Sequence, residues 1–267
     1  MTAERDLAAG SPERFGYAWH RFSLPSAAQE EQFRRWTSLI DPATGWRGMT
    51  FLDAGCGAGR NAYWAMSWGA AGGVAVDVDE RALAAARGNL AAFPSVEVRH
   101  RSLYDLDLDN AVDIAFSIGV VHHLSDPDRA LAALVRAARP GGRVLVWLYG
   151  VENMELYLKL FAPVRRALFS RLPMPALAAL AHMPCAALWL ALRLGLGRIE
   201  YVRLLRGFPY RHLHAIVLDQ MLPRIATHYT RARAEALLAR AGLTDVRSCW
   251  VNQMSWQVVG TKPAGSS

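Results

Sequence analysis

A doubly wound α/β fold on a mostly parallel sheet is predicted by three features of the chain. Between positions 50 and 149, short apolar runs alternate with alanine-rich stretches of helical spacing, the pattern of βα units. The run FLDA from Phe51 passes straight into a glycine-rich turn and then into a helical stretch. The 267 residues, 52% of them hydrophobic, can bury one full core with an elaboration rather than two equal domains. Disordered and fibrous chains are excluded on the same ground.

Strands are expected over 49–54, 73–78, 96–99, 112–117 and 143–149, with right-handed crossovers placing helices on both faces of the sheet. The intervening helices are expected over 59–68, 80–92 and 126–138. Ser125, with Asp128 three residues on, reads as a capping box for the last of these, and Pro140, Gly141 and Gly142 stop it. A helix over 231–241, ended by Gly242, precedes a closing strand pair over 245–251 and 255–261, which brings the sheet to seven strands.

The stretch from 150 to 228 breaks this rhythm. It is rich in Leu, Ala, Pro and Arg at helical spacing, and it reads as a helical insertion. Positions 172–192 hold no Asp, Glu, Lys or Arg, but Pro173, Pro175 and Pro184 interrupt what would otherwise be the length of a membrane span. A cap over a substrate pocket is the first reading. The second is a face resting on a membrane, flanked by Arg165, Arg166, Arg171, Arg193 and Arg198. The expected organisation is therefore an N-terminal helical lid (1–48), an α/β core (49–149), the insertion (150–228) and a C-terminal helix with the closing strands (229–267).

The net charge of +7 favours anionic partners, and nearly all of the excess is arginine, since Lys159 and Lys262 are the only lysines. Such a bias also arises from an alanine- and arginine-rich composition as a solvated basic surface. Cys56, Cys185 and Cys249 are widely spaced, so neither a disulfide framework nor a structural zinc site is expected. The acidic residues and missing apolar stretch near the N-terminus argue against secretion, and a cytoplasmic protein is expected. His212, His214, Asp219 and His228 are too irregularly spaced to read as metal ligands.

In the glycine turn, Gly55, Gly57 and Gly59 follow a GxGxG spacing. A dinucleotide site wants its third glycine one residue later, so NAD and FAD are disfavoured. The second expected strand ends at Asp77, 24 residues after Asp53, where a carboxylate can accept both hydroxyls of a ribose. A helix N-cap is the competing role for Asp77, but Asp79 is better placed for it.

Taken together, DAGCGAGR, AVDVDE, SIGVVHHL and RPGGRVLVWLYG resemble the class I S-adenosylmethionine (SAM)-dependent methyltransferases, a Rossmann-like family. The resemblance covers residues 50 to 150 and the closing strands. More narrowly, FGYAWHRF near the start, the insertion after WLYG and the C-terminal VLDQMLPRIATHYTRARAEALLARAGL resemble a bacterial, small-molecule-modifying subgroup. It implies SAM as cofactor, with Gly55, Cys56 and Gly57 against the methionine part and Asp53 orienting its amino group. Asp77 would hold the ribose and Val78 would lie against the adenine, while Ile118 and Gly119 continue the wall. Many members carry an aspartate after the third strand for the adenine amine. Ser102 stands there in this chain, and its hydroxyl can still accept one hydrogen bond.

Methyl transfer from a sulfonium is an in-line displacement, so the protein must align two reactants and manage one proton. Residues at the C-terminal ends of parallel strands face the ligand crevice. His122 and His123 follow the fourth strand, and an imidazole is a natural base near neutral pH. Alternatively, one of them packs or caps the helix at Ser125 while the other is exposed. Phe15, Tyr17 and Trp19 could close over the cation as an aromatic lid, with Tyr17 the catalytic candidate, or form an ordinary amphipathic helix. Tyr63 and Trp64 read as packing residues, whereas Tyr210, Asp219 and Tyr229 are pocket candidates.

The leading function is methylation of a small molecule, and the arginines suit an acidic or phosphorylated one. A SAM-consuming enzyme that cyclises the aminobutyryl chain and releases methylthioadenosine is the second enzyme class. A nucleic-acid methyltransferase fits the charge, but the chain lacks an NPPY-type motif, a cysteine placed for pyrimidine attack and an RNA-binding module, so no nucleic-acid partner is expected. A non-catalytic SAM-binding module is the remaining alternative.

Overall fold

The computed structural model describes residues 27–155, 157–196 and 200–265. Its centre is a seven-stranded sheet in the order β3-β2-β1-β4-β5-β7-β6. The strands are β1 (Thr50–Ala54), β2 (Gly72–Asp77), β3 (Val96–His100), β4 (Val112–Ile118), β5 (Ala138–Tyr149), β6 (Thr244–Val251) and β7 (Ser255–Thr261). β1 to β5 pair in parallel, and β7 runs antiparallel between β5 and β6.

Side-chain alternation along the central strands sorts two cores. Leu52, Ala115, Val144 and Val146 pack on one face with Leu131 and Leu134 of α4 (Pro127–Ala137) and Leu237 and Leu238 of α10 (Arg231–Arg240). Phe51, Ile114, Phe116 and Leu145 point the other way. They meet Phe33 of α1 (Ala27–Trp36), Ala62 and Ala65 of α2 (Arg60–Ser67) and Leu83 of α3 (Glu80–Asn89). Each fully buried Leu or Phe contributes about 1.5–3 kcal/mol.

Two local features differ from the sequence reading. Asp126, not Ser125, caps α4: its carboxylate accepts from the Arg129 amide at 3.0 Å, and Asp128 pairs instead with Arg240 at 2.8 Å. β5 begins at Ala138, five residues early, because a register shift between the Val112–Ala138 and Ile114–Arg143 pairs absorbs Pro140, Gly141 and Gly142 within the strand. Gly141 sits at φ +77°, which glycine adopts without strain.

The insertion leaves the sheet after β5, and its described residues form helices joined by turns, with an irregular stretch over 222–228. A single π turn (Tyr157–Phe161) leads to α5 (Ala162–Ala167) and a 3-10 turn (Phe169–Arg171). α6 (Met174–Leu180), α7 (His182–Arg193), α8 (Glu200–Leu205) and α9 (Tyr210–Met221) follow. A parallel bridge between Gly150 and Tyr229 closes its neck, with the Tyr229 amide donating to the Tyr149 carbonyl at 2.8 Å. The insertion has its own small cores, one of which takes in Ala28 of α1. Arg35 ties the same helix to Glu200 at 2.6 Å and to Asn252 at 2.9 Å.

Candidate cofactor and acceptor site

The glycine turn between β1 and α2 is built on left-handed backbone, with Gly55 at φ +83°, Gly57 at +53° and Gly59 at +78°. A Cβ on Gly55 would stand 2.4 Å from a methyl of Val120, so the turn also needs the missing side chain to approach the end of β4. One on Gly59 would stand 2.9 Å from Leu90. The Gly55 and Cys56 amides donate to the Val76 carbonyl at 2.8 and 2.9 Å, locking the turn to the end of β2. Cys56 is buried, and burial, helped by the Asp53 and Asp77 carboxylates, pushes its thiol well up, so it stays a neutral packing group.

Asp77 lies across this turn. Its Oδ2 accepts from the Gly57 amide at 2.8 Å, and its Oδ1 accepts from the amides of Val78 at 2.8 Å and Asp79 at 3.1 Å. Asp79 caps α3, accepting from the Arg81 and Ala82 amides, so Asp77 is left for the turn as expected. Burial pushes Asp77 upward while those amides pull it down. Asp53 is fully buried beneath the turn: Oδ2 accepts from the Ala62 amide at 3.1 Å and Oδ1 has no partner. Burial pushes it to about 8, with the Asp77 charge adding and the Ala62 amide and Arg60 opposing.

The other expected cofactor contacts gather nearby. The Val78 carbonyl accepts from His100 at 3.0 Å, and the Ser102 hydroxyl accepts from the Tyr104 amide at 3.2 Å. Ile118 is buried at the end of β4, and Gly119, at φ +79°, turns the chain towards the histidines. Tyr17, with Phe15 and Trp19, lies outside the described residues.

His122 and His123 are both buried, at 0% and 6% exposure, on a 3-10 turn (Val121–His123), so neither is the exposed surface residue weighed above. The His122 ring lies 3.9 Å from that of Tyr149 and 4.2 Å from that of His123, with Trp147 at 5.9 Å. Neither of its ring nitrogens makes a well-formed hydrogen bond, and only the Trp147 backbone comes near enough to oppose the effect of burial. Burial drives His122 well below the ordinary histidine range, and His123, whose Nδ1 faces the Ile225 carbonyl at 2.8 Å, down to about 4. Both imidazoles are neutral at pH 7.

The insertion roofs this box with groups that sequence spacing does not single out. The Tyr157 ring lies 6.1 Å from that of His228, tilted at 47°, and Arg165, expected on a membrane-flanking surface, is instead 2% exposed with one guanidinium nitrogen 3.3 Å from the Tyr157 hydroxyl. Its Nε has no partner. Asp219 of α9 has Oδ1 sealed from solvent without a partner and is pushed up to about 7 by burial, with Arg60 of α2 opposing. Arg60 lies over the Trp36 ring at 5.1 Å, and Trp36 meets Trp147 at 5.2 Å, so α1, α2 and β5 join at the same place. Tyr210 and Tyr229 are not part of it. Tyr210 bonds His182 within the insertion, and Tyr229 packs into the sheet core under Arg233. Tyr63 packs on Trp64 and Phe93, as expected.

These burials set a pH profile. Asp53 and Asp219 titrate above their ordinary 3.8 when folded, so the stability they contribute is complete below that value and is lost as pH rises through 7 to 8. His123, His212 and His228 titrate near 4 instead of 6.5, so theirs is complete above 6.5 and lost as pH falls through 4. The two sets offset each other between those limits. Above 6.5 the carboxyls act alone, and stability is expected to decline to pH 8 by up to about 1.4 kcal/mol per unit for each titrating carboxyl. Urea midpoints measured across that range test this: Asp53→Asn should flatten the decline, and level midpoints for the native chain would contradict the burial of both groups.

Comparison with known proteins reaches the same part of the chain. A family model described as a methyltransferase domain matches residues 52–146. A protein of Mycolicibacterium smegmatis named as a probable S-adenosylmethionine-dependent methyltransferase is 32% identical over 127 residues, 46% of this chain and 48% of that one. The malonyl-[acyl-carrier protein] O-methyltransferase of Erwinia billingiae is 29% identical over 226 residues, covering 75% of this chain and 82% of its own. Among solved structures, magnesium protoporphyrin IX methyltransferase from Synechocystis aligns with a TM-score of 0.56 at 12% identity, covering 94% and 93% of the two chains. The 1,6-didemethyltoxoflavin-N1-methyltransferase of Burkholderia thailandensis aligns at 0.53 and 16%, covering 89% and 79%. At these identities the structural likeness concerns the fold. The chain spans less than half the length of the first curated relatives it matches.

Proposed function

We propose that this chain, a class I SAM-dependent methyltransferase by family, methylates a small molecule held between the glycine turn and the helical insertion. The observation that carries the reading is His122: a neutral imidazole buried in an aromatic box at the C-terminal end of β4, with no side-chain partner and only the Trp147 backbone near its nitrogens. Bound SAM supplies a methyl group on an already activated sulfonium. Gly55, Gly57 and Asp77 would hold the donor, and the Trp147 ring would suit its positive charge. His122 or its neighbour His123 would take the acceptor's proton as the methyl passes to the acceptor's lone pair, the C–S electron pair staying with sulfur. The site's positive charge thus passes from sulfonium to imidazolium instead of being created in a buried place.

Arg165 favours an acceptor with an acidic group, since its buried Nε lacks a partner and His123 and His228 are neutral. The names of similar solved structures, a 1,6-didemethyltoxoflavin-N1-methyltransferase and a magnesium protoporphyrin IX methyltransferase, support a small-molecule acceptor. The free cysteines suit a reducing cytoplasm.

The test is to incubate the protein with SAM alone, then with panels of small acids, and to identify the adenosine products. S-adenosylhomocysteine formed only with an acceptor is the expected result, and methylthioadenosine formed from SAM alone would replace this reading with intramolecular cyclisation. With an acceptor in hand, His122→Ala or His123→Ala should slow turnover about 100-fold or more. Full turnover by both variants would remove the histidines from the chemistry.

A further inference from the structure

The outer face of the insertion is unlike the rest of the molecule. Among the described residues, every exposed large hydrophobic side chain falls between 160 and 196, with Leu160 at 65%, Met183 at 71% and Leu194 at 67% exposure. The run Met174–Arg193 across α6 and α7 has a mean hydropathy of 1.6. Its inner stripe, Leu177, Ala181, Cys185 and Leu192, is buried in the insertion's own cores. A surface helix of a water-soluble domain would carry polar residues opposite such a stripe. Here Met183, Leu190 and Leu194 stand there instead, at 71%, 54% and 67% exposure, with Trp189 at the flank of the stripe at 37%.

Charge says what covers this face. Residues 156–199 contain six of the chain's Lys and Arg and no Asp or Glu, so almost the whole net charge of +7 resides in them. Arg165 turns inward, while Arg193 stays beside the apolar surface with its guanidinium 5.0 Å from the centre of the Trp189 ring. An apolar patch with a cation stacked on an amphipathic tryptophan, in a segment of positive charge, matches the boundary between acyl chains and anionic headgroups. A second copy of the chain would bring the same positive face against itself, which is electrostatically unfavourable. The buried inner stripe, with Pro175 and Pro184 inside the run, favours a face lying in the membrane plane over a span.

We propose that the outer face of α6 and α7 docks in the plane of an anionic lipid bilayer. The inference does not depend on the reaction assigned above. Its test is co-sedimentation of the full chain with vesicles of phosphatidylcholine alone or mixed with phosphatidylglycerol. Binding is expected to the mixed vesicles, to weaken as salt is raised, and to fall at least about tenfold in the triple variant Met183→Glu, Leu190→Glu, Leu194→Glu. These side chains are exposed, so that variant should keep the native melting temperature and SAM affinity. A native chain that stays in the supernatant with mixed vesicles overturns the proposal, as does a folded variant that binds as well as the native chain. Self-association that the same substitutions abolish, without vesicle binding, would give the face to a second copy and overturn it as well.

Discussion

Gly55→Ala is expected to abolish useful SAM binding and to lower stability by roughly 2–5 kcal/mol. Two costs combine. A residue with a Cβ at φ +83° loses about 1–2 kcal/mol to left-handed backbone. The new carbon would also lie 2.4, 3.0 and 3.1 Å from Cγ2, Cγ1 and Cβ of Val120, so rotating the valine relieves only part of the overlap, and overpacking adds about 1–3 kcal/mol. Any relief must move the turn or the end of β4, the two walls between which the donor is proposed to lie. Gly141→Ala is the control: at φ +77° it meets the same backbone cost, but nothing lies within 4 Å of the added carbon. The melting shift of Gly55→Ala should be at least about twice that of Gly141→Ala, and only Gly55→Ala should lose SAM in calorimetric titration. Equal shifts with intact binding would mean that the turn does not need its close approach to Val120.

The parts of this molecule that were legible in the sequence are those governed by neighbours in the chain. Strand alternation, the glycine spacing, and the division of labour between Asp77 and the α3 cap at Asp79 all follow from local rules, and they hold in the structure. Where two local rules competed, the prediction slipped. Ser125 and Asp126 are both good caps, and the choice went to the residue whose carboxylate reaches the Arg129 amide. Pro140, Gly141 and Gly142 read as a stop, yet pairing with β4 on both sides draws them into β5 as a bulge.

The acceptor side was less legible because its groups converge from distant segments. Nothing in the spacing of Arg165 distinguishes it from Arg171, yet one turns beneath the cap beside Tyr157 and the other does not. Asp219 and Arg60, 159 positions apart, come within electrostatic reach of each other only in the folded chain. The burial of both His122 and His123 likewise depends on 225–228, whose backbone receives His123 and fixes Thr227 to the His122 carbonyl at 2.8 Å. The total charge was legible in the sequence, but its meaning was not. The excess positive charge sits in the insertion, while the acidic groups Asp53, Asp77 and Asp219 gather at the site.

Asp77→Ala is expected to weaken SAM binding by about 10- to 150-fold, which is about 1.5–3 kcal/mol for hydrogen bonds to a charged group. The structure sharpens why. With Oδ1 already accepting from the Val78 and Asp79 amides and Oδ2 from Gly57, one lone pair remains for a ribose hydroxyl. Taking both hydroxyls would require an amide to be released, so the carboxylate works partly by holding the turn and partly by touching the nucleoside. Alanine removes both functions and strands three amides. Asparagine keeps one oxygen acceptor but sets an NH2 group against either the Gly57 amide or the pair at Val78 and Asp79. If direct contact dominates, adenosine, which has the ribose but no methionine part, should lose as large a factor as SAM in Asp77→Ala. If holding the turn dominates, SAM should lose more than adenosine, and the melting temperature should fall in both variants. Unchanged affinity for both ligands in a folded Asp77→Ala protein would remove this carboxylate from the cofactor site altogether.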